Sequence, residues 1–126
     1  MSENFRRFSV ADPFGRTWDV EFRWQQNAIS IRHADAIDCK YYISTAGEKR
    51  ELVVSLPHAA LLAVAEQAGR ELSDAWLCRV ARLHVERMIS SWEDLDQAIA
   101  VVTPGEIAAY NQAMEVAAAQ AAASRR

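Results

Sequence analysis

The chain has 126 residues, about half of them apolar and a quarter charged, with a net charge of −3. That length suits one domain whose core needs no metal or disulfide support, and that composition is of a folded chain, not a disordered one. No apolar run approaches the ~20 residues that span a bilayer, and no basic stripe offers itself to a phosphate backbone, so membrane and nucleic-acid partners are not expected.

The charge is unevenly spread. Through Leu56 eight basic residues meet eight acidic ones, whereas from Pro57 onward six meet nine, two of the six being Arg125 and Arg126. The polar start M-S-E-N-F-R-R has no signal-peptide apolar region, which points to the cytoplasm. Cys39 and Cys78 lack CxxC spacing and sit in apolar patterns, as reduced core thiols do.

Residues 5–56 alternate with period two. Phe8 and Val10 suggest a first strand, and A-D-P-F-G (11–15) a turn. Trp18, Val20, Phe22 and Trp24 then share one side, with Thr17, Asp19, Glu21 and Arg23 on the other. After a loop at Gln25–Asn27, Ile29 and Ile31 continue the apolar face as a third strand, and residues 33–36 reverse the chain. Ile37, Cys39, Tyr41 and Ile43 form a fourth inner row, and Leu52, Val54 and Leu56 a fifth after the turn at 46–49. Such spacing predicts a five-stranded antiparallel meander with one packed face and one wet face, on which Tyr42 is the single aromatic candidate for recognition.

Pro57 ends the sheet, and residues 57–68 read as a helix closed by Gly69. Ser73–Ser91 is the hub of the chain. Trp76, Leu77, Val80, Leu83, His84 and Met88 make a broad apolar face that includes Arg87, while Cys78, Val85 and Ile89 make a second stripe. Only Arg79, Arg82 and Glu86 are left as a polar wedge, so the helix should be enclosed. Ser73 is its N-cap and Leu72–Leu77 its hydrophobic staple. Ser91-Trp92-Glu93-Asp94 carries a second helix-start signal, and Leu95, Ala98, Ile99 and Val102 follow at helical spacing, predicting a short third helix. Thr103-Pro104-Gly105-Glu106 opens the last helix with a cap, a proline at N1 and a glutamate at N3; Ile107, Tyr110, Met114, Ala117 or Ala118, and Ala121 form its seam. Its alanine-rich end has little to bury, and residues 120–126 read as a tail prone to fray.

No reaction is written in these residues. His33, His58 and His84 have no metal-ligand spacing, and the acids Glu93, Asp94 and Asp96 lack the loop of a calcium site, so no metal or cofactor is expected. The four glycines are scattered singly, which leaves no phosphate loop. Cys78 and His84 lie about 120° apart on one helix, too divergent for a dyad. The polar intruders are the exception: His84 and Arg87 stand on an apolar face, where an unpaired guanidinium is costly. Either Arg87 snorkels near the helix end or pairs with an acid such as Asp94 or Asp96, or His84 and Arg87 line a pocket between sheet and helices walled by Trp18, Trp24, Phe22 or Trp76.

The expectation is a single α+β domain over 1–126 in two layers. A sheet over 5–56 is covered on one face by three to four helices over 57–122. The function expected is that of a non-catalytic cytoplasmic assembly or interaction domain acting as a homodimer. Its interface would join Cys78, Val85 and Ile89 of the hub to Ile107, Tyr110 and Met114 of the last helix. The alternative is a small-molecule-binding domain using the His84/Arg87 pocket.

Overall fold

The computed structural model describes residues 7–29, 35–93, 95 and 99–124, with the backbone alone for 24–29. Its elements in order are β1 (Arg7–Ala11), β2 (Thr17–Ile29), β3 (Asp35–Thr45), β4 (Glu48–Pro57), α1 (His58–Gln67), α2 (Asp74–Ser91), β5 (Ile99–Val101) and α3 (Pro104–Ser124). The class is α+β: a five-stranded, mostly antiparallel sheet in the order β1-β2-β3-β4-β5, and three helices.

Strands β1 to β4 form the antiparallel meander that the alternation requires. The inner row of Trp18, Val20, Cys39, Tyr41, Ile43, Leu52, Val54 and Leu56 is buried. Outward neighbours such as Asp19, Glu51 and Lys49 are exposed.

Three expectations change here. The third predicted strand is the continuation of β2, which runs unbroken through the expected loop at 25–27. Its register shifts between Phe22 and Trp24, so that Phe22 faces Tyr41 while Trp24 faces Lys40. One extra residue at Arg23 forms a bulge, and a bulge moves everything after it by one step of the pleat. The strict row Trp18–Val20–Phe22–Trp24 therefore stops at Phe22. The turn around His33 lies outside the described residues.

The fifth strand is not in the N-terminal half at all. Ile99–Val101, expected in a short helix, pairs with Val53–Ser55 of β4, and it does so in parallel, so the sheet is mixed and only its first four strands are a meander. A parallel neighbour needs a crossover, and α1 with α2 supplies it. The helix-start signal at 91–94 instead marks an end. Trp92 closes α2 in the left-handed conformation (φ 59°), with Glu93 N–H donating to Met88 O and Trp92 N–H to Ile89 O. That is a Schellman closure with tryptophan where glycine is usual. Asp94, Asp96 and Ala98 lie outside the described residues.

The starts of α2 and α3 are as expected. Ser73 Oγ accepts from Trp76 N–H at 3.2 Å. Thr103 and Glu106 form a reciprocal capping box: Glu106 N–H donates to Thr103 Oγ1 and Thr103 N–H to Glu106 Oε1. Gly69, at φ 66°, takes the left-handed position after α1, with Arg70 N–H reaching Ala65 O. The enclosed hub is also present, since α2 buries nine side chains from both of its stripes. Among the described residues no helix is long and apolar enough to cross a membrane.

Candidate functional site

The orientation of α2 decides what each candidate side chain can reach. Arg82 lies over the Phe8 ring of β1 at 4.5 Å, and the Cys78 thiol is near enough to Cys39 on β3 to act on it electrostatically. The second stripe therefore faces the sheet, and the broad face with Trp76 and His84 turns toward α3. Burial, with the neighbouring thiol, pushes Cys39 up to about 12, which makes it an inert core residue.

Between α2 and the first turns of α3 four polar side chains interlock. His84 Nδ1 and the Tyr110 hydroxyl are 2.7 Å apart, and both residues are buried. Arg87 donates to Glu106 Oε2, and its other terminal nitrogen stands 4.0 Å from Glu93. Glu106 Oε2 is 3.9 Å from His84 Nδ1. Burial alone would raise Glu106, but the hydrogen bonds from Thr103 and the neighbouring His84 and Arg87 hold it below the usual carboxylate range. Burial raises Tyr110 against the opposing pull of Arg87. The partner of Arg87 is thus an acid at the start of α3. Its head is about half exposed, so it snorkels at the rim of the apolar face.

Trp76 and Arg70 converge on Asn111, whose Oδ1 accepts from Trp76 Nε1 and from Arg70, each at 3.0 Å. Asn111 Nδ2 donates to Glu115 at 3.3 Å, and the Arg70 guanidinium lies 5.5 Å over the Trp76 ring. Of the residues proposed to line a pocket, the structure brings His84 and Arg87 to one cluster with Glu106 and Tyr110, and places Trp76 beside it with its N–H satisfied. The side chain of Trp24 lies outside the described residues, and its backbone sits on β2. The arrangement can lock α3 onto the hub, with the His84 ring enclosed and the Arg87 head about half exposed.

The expected interface residues are mostly covered within the chain. Cys78, Val85, Ile89, Ile107 and Tyr110 are buried, and Met114 packs against the core. Among the described residues the large apolar side chains left exposed are Phe14, Leu62, Ile99, Val101 and Val116. Helix α3 buries only Ile107, Tyr110 and Asn111, and every residue from Glu115 to Ser124 is exposed. That segment, E-V-A-A-A-Q-A-A-A-S, has no charge after Glu115. Val116 is 45% exposed, and Leu62 on the neighbouring α1 is 41% exposed.

Sequence reasoning missed a polar knot at the turn between β1 and β2. The Asp12 carboxylate, with no exposed side-chain surface, accepts from Phe14 N–H, Arg16 N–H and Arg16 Nε at 2.9 Å and from Trp18 Nε1 at 3.0 Å. Burial opposes its charge, but these bonds, that of Trp18 foremost, lower it from 3.8 to about 2. The Arg16 guanidinium lies 5.1 Å from both the Trp18 and Trp92 rings, and Arg50 5.6 Å from Trp92. The only signal available was the short turn around Asp12 followed by Arg16 and Trp18.

A cavity of about 560 Å³ lies on the outward face of β1 to β4. Its outward-pointing side chains come from two cross-strand rows, Arg7–Glu21–Tyr42 and Ser9–Asp19–Ser44–Lys49. Tyr42, the one aromatic expected on the wet face, stands among them with Lys49 Nζ 4.8 Å from its ring centroid.

Compared with protein-family models, curated proteins and solved structures, the chain finds no match.

Proposed function

We propose that this chain is a non-catalytic assembly domain that pairs with a second copy of itself through the C-terminal half of α3. The observation that carries the reading is the ten-residue exposed end of that helix. An isolated helix of this length is marginal in water even when rich in alanine, and residues 116–124 bring neither charge pairs nor burial to hold it.

A twofold copy supplies what is missing. Alanine surfaces let two helices approach closely, residues 116–124 carry no charge to repel one another across the axis, and symmetric dimers are the commonest soluble assemblies. Val116 and Leu62 then become the apolar contacts of the interface. The polar lock at His84, Arg87, Glu106 and Asn111 serves this role by fixing the angle at which α3 leaves the body.

Sedimentation equilibrium at micromolar concentration tests the reading. The full chain is expected at twice its 14.1 kDa mass, and Val116→Glu at the single-chain mass with its fold retained. A full chain that sediments as a monomer at every concentration would overturn it.

The alternative reading, a ligand at His84 and Arg87, keeps no comparable observation, because both groups are engaged by α3.

A further inference from the structure

The exposed half of α3 is bounded by charge of opposite sign at its two ends. Residues 116–124 carry none, and Arg125 and Arg126 follow them in the sequence, outside the described residues. At its base the helix is tied to the body through Asn111. Its Oδ1 accepts from Arg70 and from Trp76 Nε1, and its Nδ2 donates to Glu115. These bonds gather the end of α1, the link after it and the start of α2 around the point where α3 leaves the body. The exposed acids there are Glu66, Glu71, Asp74 and Glu115; the cations are Arg70 and, a turn further along α2, Arg79. Four negative charges against two positive ones leave this collar negative by two. The tip is positive, since its two guanidiniums outweigh even a carboxylate at the chain end.

A second copy can lie along this helix in two directions. Parallel pairing sets collar beside collar and tip beside tip, like charge against like. Antiparallel pairing sets each tip on the other copy's collar, and it brings the positive end of one helix dipole toward the negative end of the other. Charges flanking an apolar helix seam are what fix the orientation of paired helices. The spacing agrees with the second arrangement. With the twofold axis at Gln120, the uncharged segment overlaps its copy over its whole length, ~14 Å. In that register Val116 is level with Ser124, and Glu115 with Arg125.

We infer that the occupant of this helix is a second copy laid antiparallel and centred on Gln120, with Arg125 and Arg126 of each copy seated on the acidic collar of the other. The inference rests on the pairing proposed above and adds its direction, which can fail while the pairing stands.

Two nitroxide positions read the direction, because the native thiols are buried. Gln112→Cys and Gln120→Cys, both at exposed sites on α3, are labelled in separate samples of the full chain. Pulsed dipolar spectroscopy then gives the distance between copies at each. Antiparallel pairing offsets the two Gln112 positions by ~24 Å along the helices and the two Gln120 positions by none. The Gln112 distance is therefore expected to be clearly the longer. Equal distances at the two positions would overturn the inference and leave the dimer standing. No dipolar modulation at either position would overturn both. Sedimentation equilibrium of an Arg125→Glu, Arg126→Glu chain gives an independent reading. Its dimer is expected to be weaker by about tenfold at ~50 mM sodium chloride and by much less at ~500 mM, where exposed charges are screened. A dimer unchanged or strengthened by this reversal at low salt would overturn the inference.

Discussion

Asp12 shows how a single residue can carry a buried charge. Four donors converge on its two oxygens, so the desolvation cost is offset by hydrogen bonds that would otherwise go to water. The sign of its pH dependence follows. A carboxylate lowered from 3.8 to about 2 on folding stabilises the fold fully above the unfolded value, and that stabilisation is lost as pH falls through the folded one. Urea midpoints should therefore drop between about pH 4 and pH 2, and Asp12→Asn should flatten that slope; an unchanged slope would remove Asp12 from the account. Trp92 carries the opposite kind of cost. Its left-handed backbone is strained for any residue with a Cβ, while its ring packs on Trp18 at 5.6 Å and Phe14 at 5.8 Å. Trp92→Ala loses the ring and keeps the strain; Trp92→Gly loses the ring and relieves it. Denaturant titration should find the glycine variant about 1 kcal/mol more stable than the alanine variant. The reverse order would mean that the cap conformation is not retained.

At the scale of elements, the registers and caps make separable predictions. Leu52→Ala empties a core position on β4 and should cost about 2–5 kcal/mol. Glu51→Ala, next to it on the wet face, should cost less than about 0.5 kcal/mol, since the Glu51 carboxylate paired with Lys40 is itself exposed. Equal losses would contradict the observed register. Thr103→Ala breaks half of the capping box and should cost about 1 kcal/mol. These elements were legible because each has a local cause: period-two alternation at 17–22, 37–43 and 52–56, and side-chain caps at Ser73 and Thr103. What was not legible depends on partners distant in sequence. Ile99 and Val101 sit at helical spacing with Leu95 and Val102, and only the backbone edge that β4 leaves open makes them a strand. The bulge at Arg23 has no glycine to announce it, and it cut the Trp18–Phe22 row before Trp24. In the candidate site, His84 and Arg87 were identifiable as polar intruders. Their partners Tyr110 and Glu106, 26 and 19 residues away, were not, and Asn111 had no pattern to mark it.

For the whole molecule, the question is what the surplus apolar surface is for. It was expected on the hub helix, yet the hub is buried, and the exposed large apolar side chains are Phe14, Ile99 and Val101 of β5, Leu62 of α1 and Val116 in the alanine-rich end of α3. Under the dimer reading, truncation after Glu115 should leave the melting midpoint of a dilute sample nearly unchanged while abolishing its dependence on protein concentration. A large drop in the dilute midpoint would show that the helix end supports its own domain instead. The most direct measurement uses the inertness of the native thiols. Cys39 and Cys78 are buried, so a Gln120→Cys variant can be labelled with one nitroxide on the exposed end of α3. Two labels then meet only if two chains do. Pulsed dipolar spectroscopy should return a single distance shorter than the ~30 Å length of α3 itself. A trace with no dipolar modulation, at concentrations well above micromolar, would contradict the pairing of this helix with its copy.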